Sequence, residues 1–206
     1  MTEDIFTLNG KRSLTIVLDR TSSMAEVIQS MVDFLPKYLI RRYAQDIDQM
    51  SLVTFDDHYH GKPLNVGCVE IDYDRSYTGN VLDGYGPTSN LEEYAYWLKT
   101  VKTGWGDDHP EAIACALAAA RTLDPEASIW LVTDAVPHGV RSGYTDGYPY
   151  GCPCSIQLDT TGVNVLLTYT NEQDQAFWET KCPGRVVVVS DLKEKLQEPV
   201  GELAYA

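Results

Sequence analysis

Three oxygen-bearing side chains at alternating positions, Asp19, Thr21 and Ser23, follow directly on an apolar run of Leu14, Ile16, Val17 and Leu18. In extended backbone successive side chains point to opposite sides, so positions 19, 21 and 23 face one way. A carboxylate and two hydroxyls then converge at the end of a buried strand. They make a set of hard oxygen ligands, matched to Mg²⁺ or Mn²⁺ rather than to a soft metal. Asp, Ser and Thr after a strand are also ordinary helix N-caps, and Ser23 is placed to cap a helix starting near Met24. The chemistry expected of such an ion is binding more than catalysis.

Two more acidic positions close apolar runs in the same way: Asp56 with Asp57 after 50–55, and Asp134 after 128–133. Between them lies Thr103-Gly104-Trp105-Gly106-Asp107-Asp108, where glycines let the backbone approach a ligand. Carboxylates gathered on one sheet edge repel each other without a cation. Mg²⁺ takes octahedral oxygen coordination and keeps several waters, so two hydroxyls, one or two carboxylates and waters meet its demand with one position left open.

His138, Cys152, Cys154 and Cys182 form a second constellation. One histidine and three cysteines is a zinc ligand set, though the Cys-x-Cys spacing is tighter than the common one. The competing reading has these cysteines packing a loop or forming a disulfide to Cys182. Cys68 and Cys115 read as core thiols, His58 and His60 as a solvated loop, and His109 as a surface residue at a helix start. Tyr144, Tyr148 and Tyr150 fit either protein recognition or cover of a sheet edge.

The elements that must position these groups follow from periodicity. Short apolar runs predict strands over 13–18, 50–55, 128–133, 163–169 and 185–189. Helical spacing predicts helices over 24–43, with Pro36 expected to kink or split it, and over 90–101, 112–123, 172–180 and 192–198. Asn90 with Glu93 makes a capping-box arrangement. Asp108 and Glu111 repeat it, with Pro110 in the first turn. Residues 69–73 are a candidate strand, 83–87 read as turn chemistry, and 139–153 as a long loop. Strands alternating with helices imply an α/β fold, a doubly wound and mostly parallel sheet covered on both faces. Ligands then bind at the carboxyl ends of the strands, where Asp19, Asp56 and Asp134 all lie.

The chain has 206 residues, most simply one domain over 1–206. A net charge of −14 argues against nucleic acid and against anionic membranes as partners. No stretch reaches the ~18 apolar residues that span a bilayer. The acidic start, with no apolar leader, and an odd count of five cysteines lead to an intracellular, cytoplasmic expectation.

Four segments, in order, resemble one family. DRTSSM at 19–24 looks like the DxTxSM form of the metal-ion-dependent adhesion site (MIDAS) of von Willebrand factor A (vWA) domains. LVTFDD at 52–57, GWGDDHPEA at 104–112 and LVTDA at 131–135 are similar to the family's second strand, its GGGDxPEA loop and its TDG or TDA strand end. The resemblance covers about 12–192. It implies a Rossmann-like domain with a divalent ion, Mg²⁺ or Mn²⁺, at the top of the sheet. Thr21 and Ser23 would ligate directly, and Asp19 and Asp134 through waters or hydrogen bonds. Asp107 falls nearest the position of the remaining ligand, with Thr103 the runner-up. A carboxylate from a partner protein would complete the ion, and a negative Asp107 would weaken that attraction. Ser22 stands where Gly is usual, and Trp105 interrupts the glycine run. The resemblance implies a binding module in a multi-protein assembly rather than an enzyme. A structural domain with a degenerate metal site is the alternative. A Mg²⁺-dependent phosphoesterase or nuclease is a further one, opposed by Thr21 where a dehalogenase-type pattern wants a second Asp, and by acidic rather than basic surroundings.

Overall fold

An apolar run flanked by strands on both sides and helices on both faces has no solvated side, and Ser13–Asp19 forms such a strand, β1. The computed structural model describes residues 8, 10–43, 45–58, 81–104, 109–140, 146, 150, 152, 156–168 and 171–197. Beside β1 lie β2 (Gln49–Phe55) and β4 (Ser128–Thr133), both parallel to it, with Ile16 opposite Leu52 on one side and Trp130 on the other. β3 (Leu82–Thr88) adds antiparallel to β2. β5 (Val163–Thr168) and β6 (Val186–Val189) extend the parallel part, giving the order β3-β2-β1-β4-β5-β6. The chain builds outward from β1 through β2 to β3, then returns to the other side of β1 as β4. The strand order therefore reverses between β1 and β4, which is where open α/β sheets form a ligand crevice at their carboxyl ends.

Alternation along β1 sends its side chains into two cores. Leu14, Ile16 and Leu18 pack with α1 (Ala25–Tyr43), α2 (Leu91–Thr100) and α5 (Leu192–Gln197). Val17 packs with α3 (Ile113–Leu123) and α4 (Glu172–Lys181). All four are fully buried, each contributing roughly 1.5–3 kcal/mol of transfer free energy. Asp19 shares the parity of Val17.

The strands and helices expected from periodicity form within one or two residues of the anticipated bounds, with several corrections. Ser22–Met24 forms a 3₁₀ turn ahead of α1. Pro36 does not split α1, which is assigned as one helix across it. Leu35, Tyr38 and Leu39, buried on either side, supply packing that outweighs one lost backbone bond. The turn-like residues 83–87 lie in strand β3. An edge strand needs partners on one side only, and a register shift between Met50 and Leu52 accommodates Gly86. Gly86 has φ 110°, and a Cβ there would meet the Met50 carbonyl at 2.9 Å. Asn90 caps α2 by accepting from the Glu92 and Glu93 amides at 2.9 and 3.4 Å. The reciprocal arm of the expected box is replaced, because the Glu93 carboxylate accepts from the Thr88 hydroxyl. Pro110 and Glu111 precede α3 rather than starting it, and Ala112 at its N-cap makes no side-chain cap. The proposed strand 69–73, Asp108 and most of the loop 139–153 lie outside the described residues, as do Trp105, Cys68, His60, Tyr144 and Tyr148. Tyr150 is fully exposed.

α4 starts at Asn171, whose side chain accepts from the Gln173 and Asp174 amides at 2.9 and 3.0 Å and donates to the Asp174 carboxylate at 2.7 Å. Asn171→Ala is expected to cost about 1 kcal/mol. Urea unfolding checks it, as a lower midpoint with an unchanged slope.

Candidate metal site

The loop leaving β1 is shaped by Asp19. Its Oδ1 accepts the Thr21 amide at 2.9 Å and the Thr21 hydroxyl at 2.7 Å, while Oδ2 accepts the Thr133 hydroxyl at 2.7 Å. Both Asp19 and Thr21 are buried, and Asp19 is entirely so. Because Thr21 spends its proton on Asp19, its oxygen lone pairs stay available to an electrophile. Ser23 Oγ lies 3.3 Å from Thr21 Oγ1 and reaches the exposed side of the loop. Neighbouring ligands of an octahedral ion bonded at 2.0–2.1 Å sit about 3 Å apart, so the hydroxyl pair is spaced for one. Ser23 is also near enough to the Asp134 carboxyl, which follows β4, to work toward lowering its pKa.

The electrostatics of this edge are strongly anionic. Burial and the charge of Asp134 push the Asp19 carboxyl up to about 7, against the hydrogen bonds from Thr21 and Thr133. Asp134 is raised by burial, opposed by Ser23 and by His109. Glu111, almost fully buried, is held well above the usual carboxylate range by burial and by Asp19, Asp57, Asp134 and Asp56. Among the described residues, Glu111 Oε2 has no hydrogen-bond partner. An unpartnered carboxylate oxygen inside a ring of acids is the environment a cation relieves. The residues present therefore fit a hard divalent ion.

Two cation-bearing groups frame the edge. Arg20, between Asp19 and Thr21, turns into the protein. Its Nε donates to Asp56 Oδ1 at 2.9 Å and its Nη1 to Asp83 on β3. Burial pushes the Asp56 carboxyl up to about 6 in spite of Arg20. Gly104 donates its amide to the Arg20 carbonyl at 2.7 Å, which ties the 103–104 segment to the Asp19 loop. His109 is not a plain surface residue: its Nε2 meets Asp174 Oδ2 at 2.5 Å, and this hydrogen bond raises its pKa.

Of the ligands expected from the sequence, Asp19, Thr21, Ser23 and Asp134 come together. Asp107 lies outside the described residues. Thr103 is exposed beside Gly104. Sequence reasoning gave Glu111 only a capping role and passed over Arg20 and Thr133. The signal for Thr133 was its place in LVTDA, one residue before an acid that ends a buried strand.

The His/Cys quartet is not the grouping found among the described residues. His138 is held between Asp57 Oδ1, 2.7 Å from Nε2, and Asp146 Oδ1, 2.9 Å from Nδ1, so a carboxylate occupies each ring nitrogen. Burial works to lower its pKa, and the two carboxylates outweigh it, for a net rise. Cys182 is buried in the α4 core beside Trp178. Cys154 lies outside the described residues. Cys152 sits instead with Cys115 and His58. His58 is fully buried rather than part of a solvated loop. Its ring centroid is 5.5 Å from that of His138. The hydrogen bond with Cys152, together with burial, holds the Cys115 thiol far above the usual thiol range.

No protein-family model and no curated protein sequence matches this chain. Solved structures do match in fold. Proximal thread matrix protein 1 of the mussel byssus superposes with a TM-score of 0.54 at 16% identity, over 89% of this chain and 42% of that one. The same protein with a zinc-occupied MIDAS motif gives 0.52 at 16%, over 90% and 46%. The pilus adhesin SpaC of Lactobacillus rhamnosus GG, in its open conformation, gives 0.53 at 12%, over 90% and 29%. The chain thus has a vWA-like, Rossmann-like fold, and it spans less than half the length of these proteins.

Proposed function

We propose that this chain is a divalent-metal-dependent protein-binding module acting within a multi-protein assembly. Thr21 and Ser23 hold the ion directly, Asp19 and Asp134 hold it through hydrogen bonds or water, and Asp107, with Thr103 as runner-up, supplies the remaining contact. The bound ion offers an electrophile to an Asp or Glu carboxylate of a partner protein. The observation that carries this reading is Glu111, a buried carboxylate with an unpartnered oxygen among four other acids at the strand-order reversal. Asp19 accepts the hydroxyl proton of Thr21 and so leaves that oxygen's lone pairs to the crevice, with the Ser23 oxygen 3.3 Å away. Exposed Ser23 marks the open side. Mg²⁺ or Mn²⁺ suits this oxygen set. Zinc belongs in the test because a structural neighbour holds it at its MIDAS motif. That the neighbours are a thread matrix protein and an adhesin supports binding over turnover.

The test is thermal unfolding in EDTA, Mg²⁺, Mn²⁺ and Zn²⁺. An ion that binds only the folded chain adds about 2.7 kcal/mol at a hundredfold excess over Kd, or roughly 5–10 °C for a domain of this size. The Mg²⁺ or Mn²⁺ increment is expected for the native chain and is absent in Asp19→Ala and in Ser23→Ala, the second being an exposed change that leaves the core alone. Equal increments in all three proteins, or none in the native chain, would overturn the reading.

A further inference from the structure

A second site is built from softer ligands, away from the hydroxyl pair. His58 follows β2, Cys115 lies in the first turn of α3, and Cys152 comes between β4 and β5 in the chain. Their ligand atoms converge. His58 Nε2 is 3.6 Å from Cys115 Sγ and 3.3 Å from Cys152 Sγ, and the two sulfurs are 2.9 Å apart. Among the described residues these three form the one group of His, Cys, Asp or Glu whose ligand atoms all lie within 4.8 Å of each other.

We propose that His58 Nε2, Cys115 Sγ and Cys152 Sγ bind a zinc-class ion that ties Cys152 to the end of β2 and the start of α3. Tetrahedral zinc, with bonds of 2.3 Å to sulfur and 2.0–2.1 Å to nitrogen, sets ligand separations of about 3.6 Å for N···S and about 3.8 Å for S···S. Both N···S distances are already close to this. The sulfur pair must open by about 0.9 Å, and partly exposed Cys152 is the less confined of the two thiols. The backbone that presents the imidazole is held in place. The His58 amide donates to Asp57 Oδ1 at 2.5 Å, and the same oxygen meets His138 Nε2 at 2.7 Å, so the backbone presenting His58 is pinned by a buried carboxylate–histidine pair. Two thiols and one imidazole select a borderline-soft ion, whereas the oxygen set at Asp19, Thr21 and Ser23 selects a hard one. The chain would then hold two ions of different class at the carboxyl edge of one sheet. On binding, each thiol gives up its proton and sulfur donates a lone pair to the ion, with no change in oxidation state.

The test uses the full chain, reduced and stripped of metal, with Co²⁺ and Zn²⁺ as probes. Cobalt is expected to give thiolate-to-cobalt charge-transfer absorption saturating at a single equivalent, and zinc is expected to displace it. Cys152→Ser, at a partly exposed position, should keep the fold by circular dichroism and lower the cobalt affinity at least about 100-fold, the upper end of what losing an outer-shell partner alone costs. Asp19→Ala should leave the absorption intact, which separates this site from the oxygen site. Mass mapping after alkylation should show Cys115 and Cys152 protected by zinc. Absorption without thiolate character, equal affinity in Cys152→Ser, or a Cys115–Cys152 disulfide that zinc does not prevent would each overturn the proposal.

Discussion

Arg20→Met is expected to lower stability by about 3–5 kcal/mol, a fall in melting temperature of roughly 6–20 °C. The guanidinium is almost fully buried and is shared between Asp56 and Asp83, while the Arg20 amide donates a hydrogen bond to the Phe55 carbonyl of β2 at 2.9 Å. Methionine keeps much of the apolar stem and removes the charge. Two carboxylates are then left in a low-dielectric setting, and that uncompensated charge dominates the cost. The physical account has its own check. Replacing all three partners, Arg20→Met with Asp56→Asn and Asp83→Asn, leaves no buried charge behind and should recover most of the loss. Denaturant unfolding of the single and triple variants decides the matter. A triple variant as unstable as the single one would mean that Arg20 acts by packing and not by charge.

Gly104→Ala is expected to cost about 3 kcal/mol. A methyl group there would land on the Asp56 carboxyl group, inside the 3.0 Å that real Cβ contacts respect. Asp56 is not a free side chain that can step aside, because it is the partner of Arg20. Nor can Gly104 retreat without giving up its bond to the Arg20 carbonyl. The steric clash is thus converted into loss of the buried ion pair. A double-mutant cycle with Asp56→Ala tests the coupling. In that background the clash is gone, and Gly104→Ala should add less than about 1 kcal/mol. Additive losses would place the effect in the backbone of the loop instead. Here the small residue in the glycine-rich loop serves close approach of the loop to the sheet edge.

The sheet and its helices were legible in the sequence because their signals are local. Buried parallel strands are short apolar runs, and Leu14, Ile16 and Leu18 must be apolar whichever neighbours pair with them. The oxygens of Asp19, Thr21 and Ser23 are near one another for a different reason than alternation: extended backbone ends at Asp19, and the 3₁₀ turn over Ser22–Met24 with the Thr21–Asp19 hydrogen bond brings them together. Asn90 and Asn171 bond to amides two and three residues on, so a cap needs no tertiary partner.

What the tertiary structure decided were matters of distance along the chain. β3 looked like a turn because Gly and Pro dominate it, and only the open edge of β2 makes it a strand. Pro36 is carried within α1 by packing that periodicity does not weigh. Arg20 carries no local signal of its role, which appears only when β2 and β3 bring Asp56 and Asp83 to it. Glu111 reads as a helix-start acid until the fold buries it among acids contributed by β1, β2 and β4. The cysteines show the limit most plainly. Sequence proximity linked Cys152 to His138, but both ring nitrogens of His138 are taken up by Asp57 and Asp146. The thiol of Cys152 meets Cys115 and His58, 37 and 94 residues away. A soft-ligand cluster is a property of three elements packed together, and no spacing rule within one segment can supply it. The sequence by itself therefore determined the parallel strands, the Asn90 cap and the identity of the oxygen-bearing residues after β1. The buried charges and the thiol–imidazole cluster exist only once the sheet has brought distant residues to one edge.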